Sequence, residues 1–269
     1  MFCSIKLIFR WDINYLALCS VFLLHFLGTT LHVYLGETTP SIFFVQLAFS
    51  LVFFCLCSLT SVRSEPADVE SCPLSTGAPP LRFCNKCQHY QVYRCKHCIH
   101  CNKCIDKYDH HCMWLGTCIG RRNHLYFLVF LVFEFLILKE FVKRCLVSAL
   151  EGPDLFNFSF RFLNFILYLG FLLVCIISSF LLMMVAGLFF FNLFLIVTNQ
   201  TSWELFKRDR ITYLKDLAFS VRPFDRGVLR NVLEFLVVNF KRKIWDITNY
   251  DSLKKKDDVD EDSSWFSWF

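Results

Sequence analysis

Long apolar runs separated by polar segments dominate this chain and predict membrane helices. One run extends from about Ile13 to Leu35 and a second from about Ile42 to Thr60. Each is long enough to cross a hydrocarbon core, which takes about 20 helical residues. The short segment between them, 36–40, ends in Pro40, which cannot continue a helix. We therefore expect the first two helices to form an antiparallel hairpin.

Two further apolar regions follow the polar middle of the chain. Leu125–Leu138 is interrupted only by Glu134 and rises about 21 Å as a helix, too short for a core of about 30 Å. We expect this helix to continue to about Val147, with a basic side chain such as Lys139, Lys143 or Arg144 reaching the far interface. Phe162–Thr198 is apolar for 37 residues, and the lack of a turn favours one long or tilted helix. The predicted fold class is an all-α membrane protein with four transmembrane helices.

The distribution of lysine and arginine indicates how these helices are oriented. Residues 61–124 carry nine basic side chains and the tail after Asn199 carries thirteen, whereas the loop 139–161 carries four. By the positive-inside rule, both termini and the polar middle lie in the cytosol. The expected domains are an N-terminal helical hairpin (1–61), a cytosolic linker and cysteine-rich domain (62–124), a second pair of helices (125–198) and a cytosolic tail (199–269).

Composition agrees with an integral membrane protein and limits the alternatives. Hydrophobic residues make up 55% of the chain and charged residues 19%, against about a quarter in soluble proteins. A channel or carrier would need several polar groups along its helices, and the runs hold chiefly Gln46, Glu134 and Asn192. From its short apolar run and the lack of a small-residue cleavage pattern, we expect the N-terminus to carry no cleavable signal peptide. In the tail, an amphipathic stretch from Val228 to Trp245 favours an interfacial helix. We see no internal repeats.

The polar middle holds most of the chain's metal-ligating side chains. Residues 84–124 contain eight of the fifteen cysteines and six of the eight histidines. Pairs of the form Cys-x-x-Cys fix two ligands of a tetrahedral zinc ion from one turn. Their density in a cytosolic segment argues against disulfides. The spacing alone leaves open which cysteines share a metal, because four pairs overlap: Cys84/Cys87, Cys95/Cys98, Cys98/Cys101 and Cys101/Cys104.

From Cys84 to Asn123 the residues resemble a known family. The order is a Cys-x-x-Cys pair, His-Cys, a second such pair, Asp-His-His-Cys at 109–112, a tryptophan two residues later, then Cys-Ile-Gly and an asparagine. This pattern is similar to the cysteine-rich domain of the DHHC protein S-acyltransferases (palmitoyltransferases). The resemblance implies two structural zinc ions. Their expected ligands are Cys84, Cys87, His97 and Cys104 for the first ion, and Cys98, Cys101, His111 and Cys118 for the second.

The same resemblance implies an enzyme with fatty acyl-CoA as co-substrate. Cys112 would attack the thioester, His110 would take the thiol proton, and Asp109 would hold the imidazole in the right tautomer. The acyl group would then pass to cysteines of membrane-associated proteins. The Golgi or the endoplasmic reticulum is the expected location, and no nucleic acid is expected as a partner, since apolar helices flank the module. The alternative is a zinc-stabilised membrane scaffold or adaptor with little turnover.

Some residues depart from the family pattern. Val92 lies in a run, Gln91-Val92-Tyr93, that replaces the usual Lys-Pro, Met113 stands where proline is common, and Gly116-Thr117 replaces an asparagine pair. These changes leave the expected ligands and catalytic residues intact, so they bear on turnover rate and substrate range. Cys95 is extra to the eight-ligand pattern and is interpreted as a bystander.

Further residues outside the cysteine-rich segment also match or extend the pattern. Thr201-Ser202-Trp203-Glu204 corresponds to the family's Thr-Thr-x-Glu, and Asn231 to the asparagine of its C-terminal packing motif. Glu134 could face a cavity or pair with a polar neighbour such as Asn192, because a carboxylate inside an apolar helix is costly. Four basic residues lie where the phosphates of coenzyme A could meet them: Arg121, Arg122, Lys207 and Arg208.

Overall fold

The computed structural model of the protein describes residues 41–60, 62, 79–151, 161–238 and 253. The first expected helix, Ile13–Leu35, lies outside these residues, as does most of the expected linker. The chain divides into two compact units, which are described one at a time. We call them the helical unit (residues 1–58, 113–116 and 126–192) and the hairpin unit (residues 59–112, 117–125 and 193–269).

Three long helices account for the apolar runs among the described residues: α1 (Ser41–Leu59), α2 (His124–Glu151) and α3 (Arg161–Val197). As expected, α2 continues past Leu138, and α3 is a single helix of 37 residues. Within the described part, the stretches Ile42–Leu59 and Tyr168–Val197 are long and apolar enough to cross a membrane. Few of their side chains are buried, which suits an apolar helix in lipid but not one in water.

Aromatic rings and one hydrogen bond join α1 to α2 inside the helical unit. Phe49 stacks on Phe133 with ring centroids 5.1 Å apart. Next to Phe49, the fully buried Ser50 donates its hydroxyl proton to Oε1 of Glu134. This bond gives the carboxylate a polar partner within the apolar part of α2, where an unpartnered carboxylate would be costly. Asn192 donates its amide proton to the Leu188 carbonyl within its own helix.

The strands of three two-stranded antiparallel hairpins lie in the hairpin unit. They are β1 (Arg82–Cys84) with β2 (His89–Gln91), β3 (Lys96–Cys98) with β4 (Lys103–Ile105), and β5 (His110–Cys112) with β6 (Thr117–Ile119). The expected all-α class is therefore wrong for this segment. Each pair of strands is joined by a four-residue loop. Because the loop reverses the chain within a few residues, the backbone N–H and C=O groups on either side form hydrogen bonds across the hairpin instead of within a helix.

The tail begins with two short helical segments and contains one longer helix. They are α4 (Ser202–Phe206), a 3-10 turn (Arg208–Arg210) and α5 (Val228–Val238). A capping box starts α4: the Thr201 hydroxyl accepts from the Glu204 backbone, and the Glu204 carboxylate accepts from the Thr201 backbone. The helix α5 covers the first part of the amphipathic stretch expected from the sequence.

Asn231 fixes the start of α5 to the end of α3 within the hairpin unit. Its amide nitrogen donates to the carbonyl of Val197 and to Oδ1 of Asp225, both at 2.7 Å, and its carbonyl oxygen accepts from the Arg226 backbone at 3.0 Å. Only 2% of the residue is exposed. The contacts of Asn231 thus agree with the packing role expected for it.

The domain boundaries expected near residues 61, 124 and 198 stay a prediction.

Candidate active site and metal centres

The three hairpins repeat with a period of 14 residues. Cys84, Cys98 and Cys112 each end the first strand of their hairpin, at this constant spacing. The last loop residue has positive φ in every case, at Gln88 (56°), Asn102 (48°) and Gly116 (59°). The sequence prediction of no internal repeats is therefore wrong. The regular spacing of the three cysteines could have revealed the repeat in the sequence, but the overlapping Cys-x-x-Cys pairs concealed it.

The first metal cluster joins the loop of the first hairpin to the strands of the second. His97 Nδ1 lies 3.6 Å from Sγ of Cys84, 3.3 Å from that of Cys87 and 3.9 Å from that of Cys104. Zinc with bonds of about 2.3 Å to sulfur and about 2.0 Å to nitrogen holds such atoms about 3.5 Å apart in a tetrahedron. These four side chains have the geometry to bind zinc.

The second cluster repeats this arrangement one hairpin later. His111 Nδ1 lies 3.8 Å from Sγ of Cys98 and 3.5 Å from those of Cys101 and Cys118, and the last two sulfurs are 3.4 Å apart. The loop of one hairpin thus supplies two thiols, and the next hairpin supplies a histidine and a cysteine paired across its strands. The two clusters contain the two ligand sets that the family resemblance implies.

Cys112 occupies the corresponding position in the third hairpin but belongs to neither cluster. Three residues later, where the other loops have Cys87 and Cys101, the chain has Leu115. The third loop therefore lacks the second thiol that would chelate a metal. This leaves the thiol of Cys112 available for chemistry, on a scaffold that the metal clusters would hold in place.

Alternation along β5 separates the reactive face from the metal face. Successive side chains of a strand point to opposite sides, so His110 and Cys112 share one face while His111 points to the second cluster. The His110 ring hydrogen-bonds both the Cys112 thiol and Oδ2 of Asp109, the latter from Nδ1 at 2.7 Å. The structure therefore brings together the three residues expected to be catalytic.

Asp109 and His110 each stabilise the charged form of the other. Burial alone would lower the pKa of His110, but the hydrogen bonds to Asp109 and Cys112 outweigh it and raise the pKa to about 9. Burial alone would raise the pKa of Asp109, but its hydrogen bond with His110 and the nearby histidines lower the pKa to about 2. The arrangement favours the carboxylate form of Asp109, and it stabilises the imidazolium that His110 becomes when it takes the proton of Cys112. The side chain of His110 is 34% exposed.

The tail positions Asp109 through Ser202. Oδ1 of Asp109 accepts from the Ser202 backbone nitrogen at 2.6 Å, and Oδ2 accepts from the Ser202 hydroxyl at 3.0 Å. Only 2% of Asp109 is exposed, so these bonds and the one from His110 replace the water it loses. Sequence reasoning noted Ser202 only as a mild change in a motif and did not foresee this contact, because 93 residues separate the two.

A buried ion pair joins Glu204 of the same tail motif to Arg94, which lies just before the second hairpin. Arg94 Nε and Nη2 donate to the two oxygens of Glu204 at 2.8 and 2.7 Å, and Nη1 donates to Oδ1 of Asn199 at 2.9 Å. The Tyr213 hydroxyl donates to Glu204 at 3.0 Å, and the guanidinium lies over the Phe224 ring at 4.4 Å. This network surrounds both charges with hydrogen bonds, which a buried pair requires.

The structure explains two of the departures from the family pattern. Gly116 has φ of 59° at the end of its loop, a conformation that suits glycine and asparagine alike, so glycine is a mild replacement there. Met113 is 77% exposed, and no packing fixes its identity. The structure gives no physical account of Val92 or Thr117. Cys95 lies outside both clusters.

Two of the four basic residues considered for coenzyme A are structural. Arg121 is buried and pairs with Asp106 at 2.6 Å. Arg208 is buried and donates to the carbonyls of Ala218 and Val221 at 2.5 and 2.9 Å. Arg122 and Lys207 are exposed, so they are the two of these four that a ligand could reach.

Comparison with known proteins gives the same assignment. The family profile described as DHHC palmitoyltransferase matches residues 78–209. Palmitoyltransferase ZDHHC12 of Homo sapiens is 32% identical over 207 residues, which is 73% of each chain. Its Mus musculus counterpart is 36% identical over 174 residues, 64% of this chain and 61% of that protein. A Dictyostelium discoideum protein named as a ZDHHC-type palmitoyltransferase is 38% identical over 185 residues, 65% of this chain and 40% of that protein. The chain thus spans between 40% and 73% of the length of these relatives. This chain belongs to the DHHC palmitoyltransferase family.

Proposed function

We propose that this protein is a protein-cysteine S-acyltransferase that carries a fatty acyl group on Cys112. The observation that carries the proposal is the hydrogen-bonded series Ser202–Asp109–His110–Cys112. It is the arrangement that activates a thiol for nucleophilic attack: a base beside the nucleophile and a carboxylate that orients the base.

The reaction consists of two thioester exchanges. His110 takes the proton of Cys112, and the thiolate attacks the carbonyl carbon of fatty acyl-CoA, forming a thioester on Cys112. The coenzyme A thiolate leaves and takes the proton back from His110. A cysteine of a client protein then attacks the acyl-enzyme, gives its proton to His110, and leaves Cys112 as a thiol once the proton returns. One thioester replaces another at each step, so the protein has to supply positioning and proton transfer rather than a large driving force.

Two zinc ions, held by the two clusters, would supply structural rigidity. Each cluster has four protein ligands and no open coordination position, so neither ion would bind substrate. The hairpins have three-residue strands, and an isolated two-stranded hairpin is marginally stable at best. Metal binding would therefore supply folding free energy to the segment that carries Cys112.

The membrane arrangement that suits this chemistry has four spans. The span Ile13–Leu35 and the three described helices would place the hairpins and tail at the cytosolic face, where lysine and arginine accumulate. Fatty acyl-CoA would bring its chain into the bilayer, and the clients would be membrane-associated proteins with an accessible cysteine. The Golgi and the endoplasmic reticulum are the membranes where we expect the protein.

The test is acyl-CoA labelling of the purified protein in detergent, with zinc determined on every sample. The wild type and Cys95→Ser, a control thiol outside both clusters, should take up a hydroxylamine-sensitive acyl label, and Cys112→Ser should not. Zinc should be about two per chain in all three. An unlabelled wild type with full zinc would contradict the enzyme and favour the scaffold.

A further inference from the structure

A groove on the hairpin unit borders the first metal cluster, because Cys84 and His97 line it. Its lining does not include Asp109, His110 or Cys112. It has a volume of about 460 Å³ and runs along β1, β3 and the segment after the 3-10 turn. Arg82, Lys86, Lys96 and Arg210 line it, together with Arg94. Of the described residues that line it, none carries a carboxylate.

The basic side chains of the groove are available to a ligand. Arg82, Lys86 and Arg210 are exposed and form no ion pair with other described residues. Lys96 is partly buried, with its ammonium 3.2 Å from the centre of the Trp203 ring. Arg94 is neutralised by Glu204. The groove therefore presents a concentrated positive charge with an aromatic wall.

The tail of the same chain carries a matching negative charge. Residues 257–262 read Asp-Asp-Val-Asp-Glu-Asp, five carboxylates in six positions. They lie outside the described residues, but Leu253, four positions earlier, is described. Leu253 packs against a hydrophobic cluster of six buried residues, whose members include Tyr93, Ile211 and Tyr213. These three residues also line the groove.

Chain length places the acidic run within reach of the groove. An extended chain covers about 3.3–3.6 Å per residue, so Asp257 can lie up to about 14 Å from Leu253 and Asp262 up to about 32 Å. Lysines 254–256 separate the anchor from the run.

We propose that the acidic segment 257–262 docks in this groove of its own chain. Opposite charges attract, the anchor at Leu253 raises the local concentration of the segment, and the lining offers no competing carboxylate. An acidic client peptide would have to displace the segment to reach the same surface. The proposal does not depend on acyl transfer, because Asp109, His110 and Cys112 do not line the groove.

The test is zero-length cross-linking of the full chain with a carbodiimide, which joins a carboxylate to an amine with loss of water. Lys86 supplies the amine in the groove, and mass spectrometry identifies its link to residues 257–262. A mixture of isotopically light and heavy protein distinguishes links within one chain from links between chains. We expect links within one chain that disappear in about 1 M salt, where the Debye length is about 3 Å.

Matched variants make the test specific. Arg82→Gln with Arg210→Gln keeps Lys86 but removes two charges from the groove, and should lower the yield about fivefold, the scale of one or two exposed ion pairs. Lys215→Gln with Arg230→Gln removes the same charge from exposed positions elsewhere and should leave the yield unchanged. If the first double variant loses zinc, Arg210→Gln alone replaces it. Links only between chains, no link to Lys86, or equal yields in both double variants would overturn the proposal.

Discussion

Ser202 donates two hydrogen bonds to one carboxylate, from its backbone nitrogen to Oδ1 of Asp109 and from its hydroxyl to Oδ2. The second oxygen also accepts from His110. The tail motif thus holds the carboxylate that orients the imidazole, and it does so from within the same compact unit. Ser202 should therefore influence the acylation rate through Asp109.

Ser202→Ala should slow acyl-enzyme formation about tenfold while leaving zinc content unchanged. It removes the hydroxyl but keeps the backbone bond, and a hydrogen bond to a charged group contributes about 1.5–3 kcal/mol. Ser202→Thr keeps the hydroxyl and should retain most of the rate. Single-turnover labelling with acyl-CoA measures both. Equal rates for the alanine and threonine variants would show that the hydroxyl does not position Asp109.

Arg94→Gln should lower the stability of the hairpin unit by about 3–5 kcal/mol, because it leaves the buried carboxylate of Glu204 without its charged partner. Arg226→Gln is the matched control: Arg226 is 54% exposed at the side chain and lies 3.8 Å from Glu234, so its loss should cost no more than about 1 kcal/mol. Thermal unfolding followed by zinc release compares the two. Similar unfolding temperatures would mean that the Arg94–Glu204 pair contributes little.

The sequence was informative where a local pattern repeats. Apolar runs located α1, α2 and α3 to within a few residues, because a membrane helix needs a long uninterrupted stretch. The hairpins were missed because three-residue strands are too short to show an alternating pattern, and metal-ligand positions override it. Spacing left the grouping of cysteines open, and only the family resemblance resolved it.

Contacts between distant residues could not be read from the chain. Asp109 and Ser202 are 93 positions apart and Arg94 and Glu204 are 110 apart, and no periodicity links such pairs. For Arg121 and Arg208 the sequence suggested a contact that the structure does not support. Their charge suggested a phosphate site, whereas both side chains are buried in structural contacts. Burial decides between these roles, and a single sequence does not report it.

Gly120→Ala should destabilise the hairpin unit by about 1–3 kcal/mol, the cost of forcing extra atoms into a packed site. A Cβ at Gly120 would lie 2.8 Å from the backbone oxygen of Asp106 and 2.9 Å from Cγ2 of Ile105. Gly187→Ala is the control, since nothing lies within 4 Å of its added carbon. Zinc retention during heating measures the difference. A Gly120 variant as stable as the Gly187 variant would show that the backbone can shift at no cost.

Leu115→Cys should make acylation sensitive to added zinc. The loops of the first two hairpins each have a cysteine three residues after Cys84 or Cys98, and both thiols join a cluster. Supplying the missing thiol at position 115 recreates a Cys-x-x-Cys pair around Cys112, and a metal held there would occupy the nucleophile. Leu115→Ala controls for the lost packing of this buried side chain. Labelling across a micromolar zinc series should fall for the cysteine variant only. A zinc-insensitive cysteine variant that still labels would mean that the third loop does not share the metal-binding geometry of the other two.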